Sequence, residues 1–214
     1  KGEGSSLNSM IVHKGILTNN PSNFEDTIVA ERHWRDSDLE VSYMKVIKMA
    51  MYYNAKIFPE RNVIGFNDWC ETNGYTHLLV NEPQTTLRSL SFTPKPLLHG
   101  FDMQNDKLKN WALSKLNSWL ISHHENDVDR ETGYPLKRKI NYIFSKKILN
   151  EIKGHNLSGN FDAISCLLGL MLLRNELGES LKINYNEPEK PQENRSTSEK
   201  RRFHRIKKSK FIRN

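Results

Sequence analysis

An α/β fold is predicted by three features of the chain. Residues 7–12 (LNSMIV) and 26–34 (DTIVAERHW) are apolar and β-branched and are separated by a short turn-rich connection, which predicts an antiparallel hairpin. Residues 56–80 (KIFPERNVIGFNDWCETNGYTHLLV) run as strand, glycine-led short helix, strand. Most of the remaining apolar residues recur at helical spacing, and strands that alternate with helices predict a mixed sheet flanked by helices.

The elements follow in order. After the first strand, KG and NNPSN supply the turn. Asp36 or Ser37 is positioned to cap a helix in which Tyr43, Val46, Ile47, Ala50, Met51 and Asn54 share one face. Residues 56–58 and 63–64 make the next strand, with Glu60 between them. Gly65 opens a short helix that closes at Asn73-Gly74, and residues 75–80 read as a strand. Residues 87–100 hold two prolines and predict an irregular loop or a mobile hairpin. A helix over 105–123 carries Leu108, Trp111, Ala112, Leu116, Trp119 and Leu120 on its apolar side. A polar connection leads to a short strand at 140–144, a helix over 145–153, a break at GHNLSGN, and an apolar helix over 161–177. No internal repeat is visible.

Composition narrows the class. The 214 residues suit one domain with a tail, or two small domains. No apolar run is long enough to span a membrane, and residues 1–9 lack the apolar core of a signal peptide. The absent initial Met suggests a fragment. Cys70 and Cys166 fall in predicted helices among apolar neighbours, as expected of buried free thiols in a reducing compartment. The net charge of +7 is unevenly placed: residues 195–214 hold nine Lys or Arg and one Glu, so the rest of the chain is close to neutral. Two segments are therefore expected, a globular domain over 1–178 and a disordered linker with a basic tail over 179–214. Such a tail suits a polyanion, Arg201, Arg202, Lys207 and Lys208 being candidate DNA contacts; the plainer alternative is a solvated end.

Three acids carry the chemical interest. Glu60 ends a strand that should be apolar, Asp162 opens the most apolar helix, and Glu151 lies on the helix before it. Each has a structural alternative: capping for Asp162, a solvated helix face for Glu151. Carboxylates at a strand end and a helix start, both near one sheet edge, suit a divalent cation such as Mg²⁺ or Mn²⁺. His123-His124 is a weak metal signal, because adjacent helix positions point apart. No phosphate-binding loop and no Gly-x-Ser-x-Gly elbow is present.

Four stretches then resemble, in order, the C-terminal nuclease domain of tailed-phage terminase large subunits. KGEGSSLNSMIV is similar to the Gly-rich turn after the family's first strand. YYNAKIFPERNVIGFNDWCETNGYTHLL resembles its strand–acid–Asn–Gly–helix segment. HGFDMQNDKLKNWALSKLNSWL resembles its Lys-bearing helix, and ILNEIKGHNLSGNFDAISCLLGLMLL its last helix with an acid at the start. The resemblance covers roughly residues 1–177. It implies an RNase H-like fold and a metal-dependent endonuclease that cuts concatemeric DNA during packaging by two-metal hydrolysis. Glu60 would be the second metal carboxylate and Asp162 the third. The first is expected upstream of Lys1; Glu3 falls in the turn, and Ser5-Ser6 stand where some relatives carry another acid. No ATPase motor segment is present in these residues. Lys95, Lys107 and Lys109 would meet the DNA backbone, or be plain surface lysines. Two metal ions, double-stranded DNA, the portal protein, the small terminase subunit and the cytoplasm of an infected bacterium are implied as surroundings. The alternatives are a non-catalytic docking or nucleic-acid-binding module, and another RNase H-like enzyme such as a resolvase or integrase.

Overall fold

A computed structural model describes residues 7–15, 25–63, 65–95, 98–123, 128–129, 131–134, 136–155 and 161–186. Within them the protein is mixed α/β, with strands β1 (Asn8–Lys14) and β2 (Thr27–Trp34) and helices α1 (Leu39–Tyr52), α2 (Phe66–Thr72), α3 (Gln84–Ser89), α4 (Asp106–Ile121), α5 (Lys146–Gly154) and α6 (Asp162–Asn186). The chain divides into two units at Ser180/Leu181. All that follows concerns the first, apart from the backbone of α6 over residues 181–186. No described helix is long and apolar enough to cross a membrane.

The hairpin forms as the alternation of β1 and β2 predicts. The strands pair antiparallel from Asn8 opposite Trp34 to Lys14 opposite Thr27, with a register shift between Val12 and His13. Helix α1 starts one or two residues later than expected, because Asp38 is the cap: its carboxylate accepts the Glu40 N–H at 2.8 Å. Asp36 instead accepts from the Ser42 hydroxyl and the Lys45 ammonium. Tyr43, Ile47 and Ala50 of the expected face are buried, whereas Met51 is 64% exposed. Asn105 and Ser145 cap α4 and α5 through side-chain oxygens.

Among the described residues the larger mixed sheet is absent. The stretches at 57–60, 79–81 and 99–101 are extended and adjacent, but they join only by single bridges: Ile57 to Leu79, Glu60 to Phe101, Asn81 to His99. Pro59 supplies one reason, since it has no N–H to continue a ladder. Its carbonyl still accepts the Phe101 N–H at 2.9 Å, and the Arg61 N–H reaches the Phe101 carbonyl at 2.8 Å. The expected strand at 75–80 begins instead as a 3-10 turn, Thr76–Leu78, after the left-handed Gly74. The expected strand at 140–144 is likewise a 3-10 turn, Lys139–Tyr142. Part of the predicted loop at 87–100 is the end of α3.

Helix α6 provides the centre of the core. Ala163, Ile164, Leu167, Leu168, Met171 and Leu172 recur in helical register and pack with α4 residues Leu108, Ala112, Leu116, Trp119 and Leu120, and with Phe101, Met103, Ile143 and Ile148. A smaller cluster joins Tyr43, Ile47, Phe66, Cys70 and Leu79. Gly169 matters here. A Cβ at that position would lie 2.4 Å from the Phe101 ring, so its absence lets Phe101, the bridge partner of Glu60, lie against α6. The helix runs on past Gly178 to Asn186, beyond the expected end at Leu177. Residues 187–214, with the basic tail, lie outside the described residues. The free thiols also differ from expectation: Cys70 is buried, but Cys166 is only partly so.

Candidate functional site

Glu60 is placed by the short ladder just described. Two residues on, the Asn62 amide donates to its Oε1 at 3.0 Å. Three residues further, Gly65 takes a left-handed φ of 71° and starts α2. The acid–Asn–Gly spacing therefore has a local structural meaning: Asn62 steadies the carboxylate, and Gly65 turns the chain away from it. Burial, then the charges of Asp102 and Asp162, push the Glu60 pKa above the usual range, against Lys109 and the Asn62 bond.

Asp162 is the first residue of α6, and its Oδ2 accepts the Leu7 N–H at 2.8 Å, immediately before β1. Capping of α6 falls to Glu151 instead. Its Oε2 accepts the Ala163 and Ile164 N–H groups at 2.8 and 3.2 Å, and its Oε1 pairs with Lys147 at 2.8 Å. Glu151 is therefore neither a solvated acid nor a free ligand; it fixes the helix start that carries Asp162.

Cys166 marks the centre of this neighbourhood. Its thiol donates to the Ser9 carbonyl at 3.3 Å. Burial pushes its pKa up to about 12, and the charges of Glu60, Asp162 and Glu151 act in the same direction. It is accordingly a thiol, not a thiolate nucleophile. With Asp162 bonded to Leu7 and Cys166 to Ser9, the start of α6 lies against the start of β1.

The acids supply only hard oxygen donors, which fit Mg²⁺ or Mn²⁺ rather than zinc. Among the described residues no three His, Cys, Asp or Glu side chains are grouped closely enough to hold one ion. Asp102 was not foreseen. It is exposed, with Oδ1 accepting the Gln104 N–H at 2.9 Å, and it reaches Glu60 because Phe101 bridges to it. No local sequence signal marks Asp102; only the pairing of distant segments does.

A cleft of about 390 Å³ has Arg61, Glu82, Phe92, Lys95, Asp102 and Leu172 in its walls, and neither Glu60 nor Asp162 lines it. Buried Glu82 pairs with Arg61 at 2.6 Å and accepts the Lys95 backbone N–H. The Lys95 side chain is exposed at this cleft. The lysines of the next helix differ from one another. Lys107 is committed locally, to the Leu90 carbonyl at 2.8 Å and the Phe92 ring at 5.5 Å. Lys109 faces Glu60 closely enough to lower its pKa. Arg201, Arg202, Lys207 and Lys208, like Glu3, Ser5 and Ser6, lie outside the described residues. His123 bridges by its backbone to Arg138, and His124 is outside. A scan against models of known families, and searches among curated proteins and solved structures, found no match to this chain.

Proposed function

We propose that this protein is a metal-dependent DNA endonuclease domain of RNase H-like design, of the kind found in the large terminase subunits of tailed phages. The observation that carries the proposal is that the Glu60 segment packs on the helix that Asp162 opens: Phe101, the bridge partner of Glu60, lies against α6 at Gly169. Glu60 and Asp162 are 102 residues apart in sequence, and the charge of Asp162 is among the causes that raise the Glu60 pKa. A carboxylate so raised is costly to ionise without a counter-charge. It becomes useful when a divalent cation is held beside a phosphodiester. A bound Mg²⁺ or Mn²⁺ would supply a metal-activated water as nucleophile and charge for the leaving oxygen. Glu60, Asp162 and an acid on a preceding strand would hold it. Asn62 orients Glu60 and Glu151 fixes the helix start bearing Asp162; Lys95 and Lys109 would meet the DNA backbone. Double-stranded DNA would be the substrate, with the portal protein and small subunit as partners in the cytoplasm of an infected bacterium. Residues 195–214 would add sequence-independent affinity.

Two measurements test this. Mn²⁺ binding, followed by electron paramagnetic resonance, should be lost or sharply weakened in Glu60→Gln and Asp162→Asn. Supercoiled plasmid should be cut only with Mn²⁺ or Mg²⁺, by this chain or by one extended upstream through the expected first strand, and neither variant should cut. Deleting residues 195–214 should weaken DNA binding and flatten its salt dependence without removing the chemistry. Unchanged Mn²⁺ binding in both variants would end the metal assignment. Intact plasmid in the presence of bound metal and bound DNA would end the nuclease assignment.

A further inference from the structure

A second charged centre lies where Arg174 of α6 meets the buried residue Asp26, just before β2. Five donors from four segments converge on its carboxylate. Oδ1 accepts from His13 Nε2 at 3.1 Å and Arg174 Nε at 2.6 Å. Oδ2 accepts from Arg174 Nη2 at 2.6 Å, from Trp119 Nε1 at 3.2 Å and from Lys139 Nζ. The acid is thereby saturated, but the cations are not. Arg174 carries five N–H groups, of which two go to Asp26, and the Lys139 ammonium carries three, of which one does. Two full positive charges share one negative charge.

The surplus faces a cavity of about 350 Å³ between α4 and α6, lined by Lys115, Ser118, Trp119, Lys139, Arg174 and Asn175 among others. No Asp or Glu belongs to that lining among the described residues. Lys115 adds a third cation from α4, its ammonium 5.6 Å from the Trp111 ring centroid. We infer that this cavity is a phosphate oxyanion site. Asp26 holds the Arg174 guanidinium in a fixed plane, which lowers the ordering cost of binding, and a fixed guanidinium edge suits phosphate oxygens. Lys139, 6% exposed, is fixed by the same acid. Three cations against one carboxylate leave a net charge opposite in sign to phosphate. Arg174 follows Asp162 by twelve helical residues, about 18 Å along the axis. The site is thus separate from the acids and stands whether or not they bind metal.

Two sources offer this chemistry, a nucleic-acid backbone and free phosphate. ¹⁵N-labelled protein in phosphate-free buffer should be titrated with inorganic phosphate and, separately, with a short DNA duplex, following the Trp119 indole N–H and the Arg174 Nε–H. Phosphate is expected to move both resonances saturably. Lys115→Glu and Ser118→Glu, at exposed positions, should each weaken that response about tenfold by reversing or adding charge, while the rest of the spectrum reports an unchanged fold. If duplex moves the same resonances and phosphate competes, the backbone is the source; if phosphate alone moves them, it is the free anion. No saturable shift with either probe overturns the site, as does a shift that neither substitution weakens.

Discussion

Replacing Gly100 with alanine, beside the same change at Gly74, isolates the packing that places Glu60. The two glycines have nearly equal φ, +81° and +77°. A left-handed alanine costs roughly 1–2 kcal/mol at either position. Their surroundings differ. A Cβ at Gly74 meets nothing within 4 Å, whereas at Gly100 it would lie 2.0 Å from the Pro59 carbonyl oxygen and 3.1 Å from its carbon. That oxygen is backbone and accepts the Phe101 N–H, so no side chain can rotate to make room. The bridge between Glu60 and Phe101 must open, with bonds such as Gly100 N–H to the Val80 carbonyl, at roughly 1 kcal/mol for each hydrogen bond lost. Gly100→Ala should therefore lose about 2–3 kcal/mol more than Gly74→Ala. At this size, roughly 2–4 °C accompanies each kcal/mol, so the melting temperatures of the variants should differ by about 4–12 °C. Urea unfolding of both variants measures the difference. Equal losses would refute the claim that close approach of Gly100 to Pro59 sets the Glu60 segment.

Two further changes test the charge arrangement. Glu60 has a raised folded pKa, so its ionisation opposes folding as pH rises from the unfolded value through the folded one. Glu60→Gln should be more stable than the parent at pH 7, and the gap should close below about pH 4, near the unfolded glutamate value; denaturant midpoints at both pH values read it, and a gap independent of pH would contradict the assignment. For Asp26, burial alone would raise the pKa, but hydrogen bonds from His13, Arg174 and Lys139 outweigh it and hold the carboxyl well below the usual range. Its contribution is present above the unfolded value and fades as pH falls through the folded one. Asp26→Asn keeps the left-handed φ of 52°, which asparagine tolerates, but strands two cations. A loss of about 3–5 kcal/mol at pH 7 is expected in urea unfolding, and a loss below 1 kcal/mol would show that the cluster is weakly coupled.

Helices were more legible in this sequence than strands. The α4 and α6 apolar faces follow from spacing, and the expected helix starts near 105 and 145 match the caps Asn105 and Ser145, whereas the α1 cap is Asp38 and not Asp36 or Ser37. The strands expected at 56–64 and 75–80 do not form as such, because Pro59 removes a ladder donor and Gly74 takes a left-handed turn. The end of α6 was misjudged for the opposite reason. A lone glycine costs a helix only about 1 kcal/mol. Nothing lies within 4 Å of a Cβ built on Gly178, so no contact there forces a break.

The acids show where local pattern stops carrying information. Glu60 and Asp162 stood out because each interrupts an apolar setting, and that signal is local. Asp102 and Asp26 could not be found that way: one depends on the bridge between residues 60 and 101, the other on partners up to 148 residues away. Glu151 bears on what Asp162 is for. A helix start needs an oxygen for its exposed N–H groups, and Asp162 in the first turn would ordinarily be explained by that need. Glu151 already meets it at Ala163 and Ile164, using a side chain from another helix. The Asp162 carboxylate accepts the Leu7 N–H at the start of β1, and its charge is among the causes that raise the Glu60 pKa. Asp162 therefore ties β1 to α6, a structural use that a metal-holding role would add to, and Mn²⁺ binding by Asp162→Asn measured beside its stability separates the two.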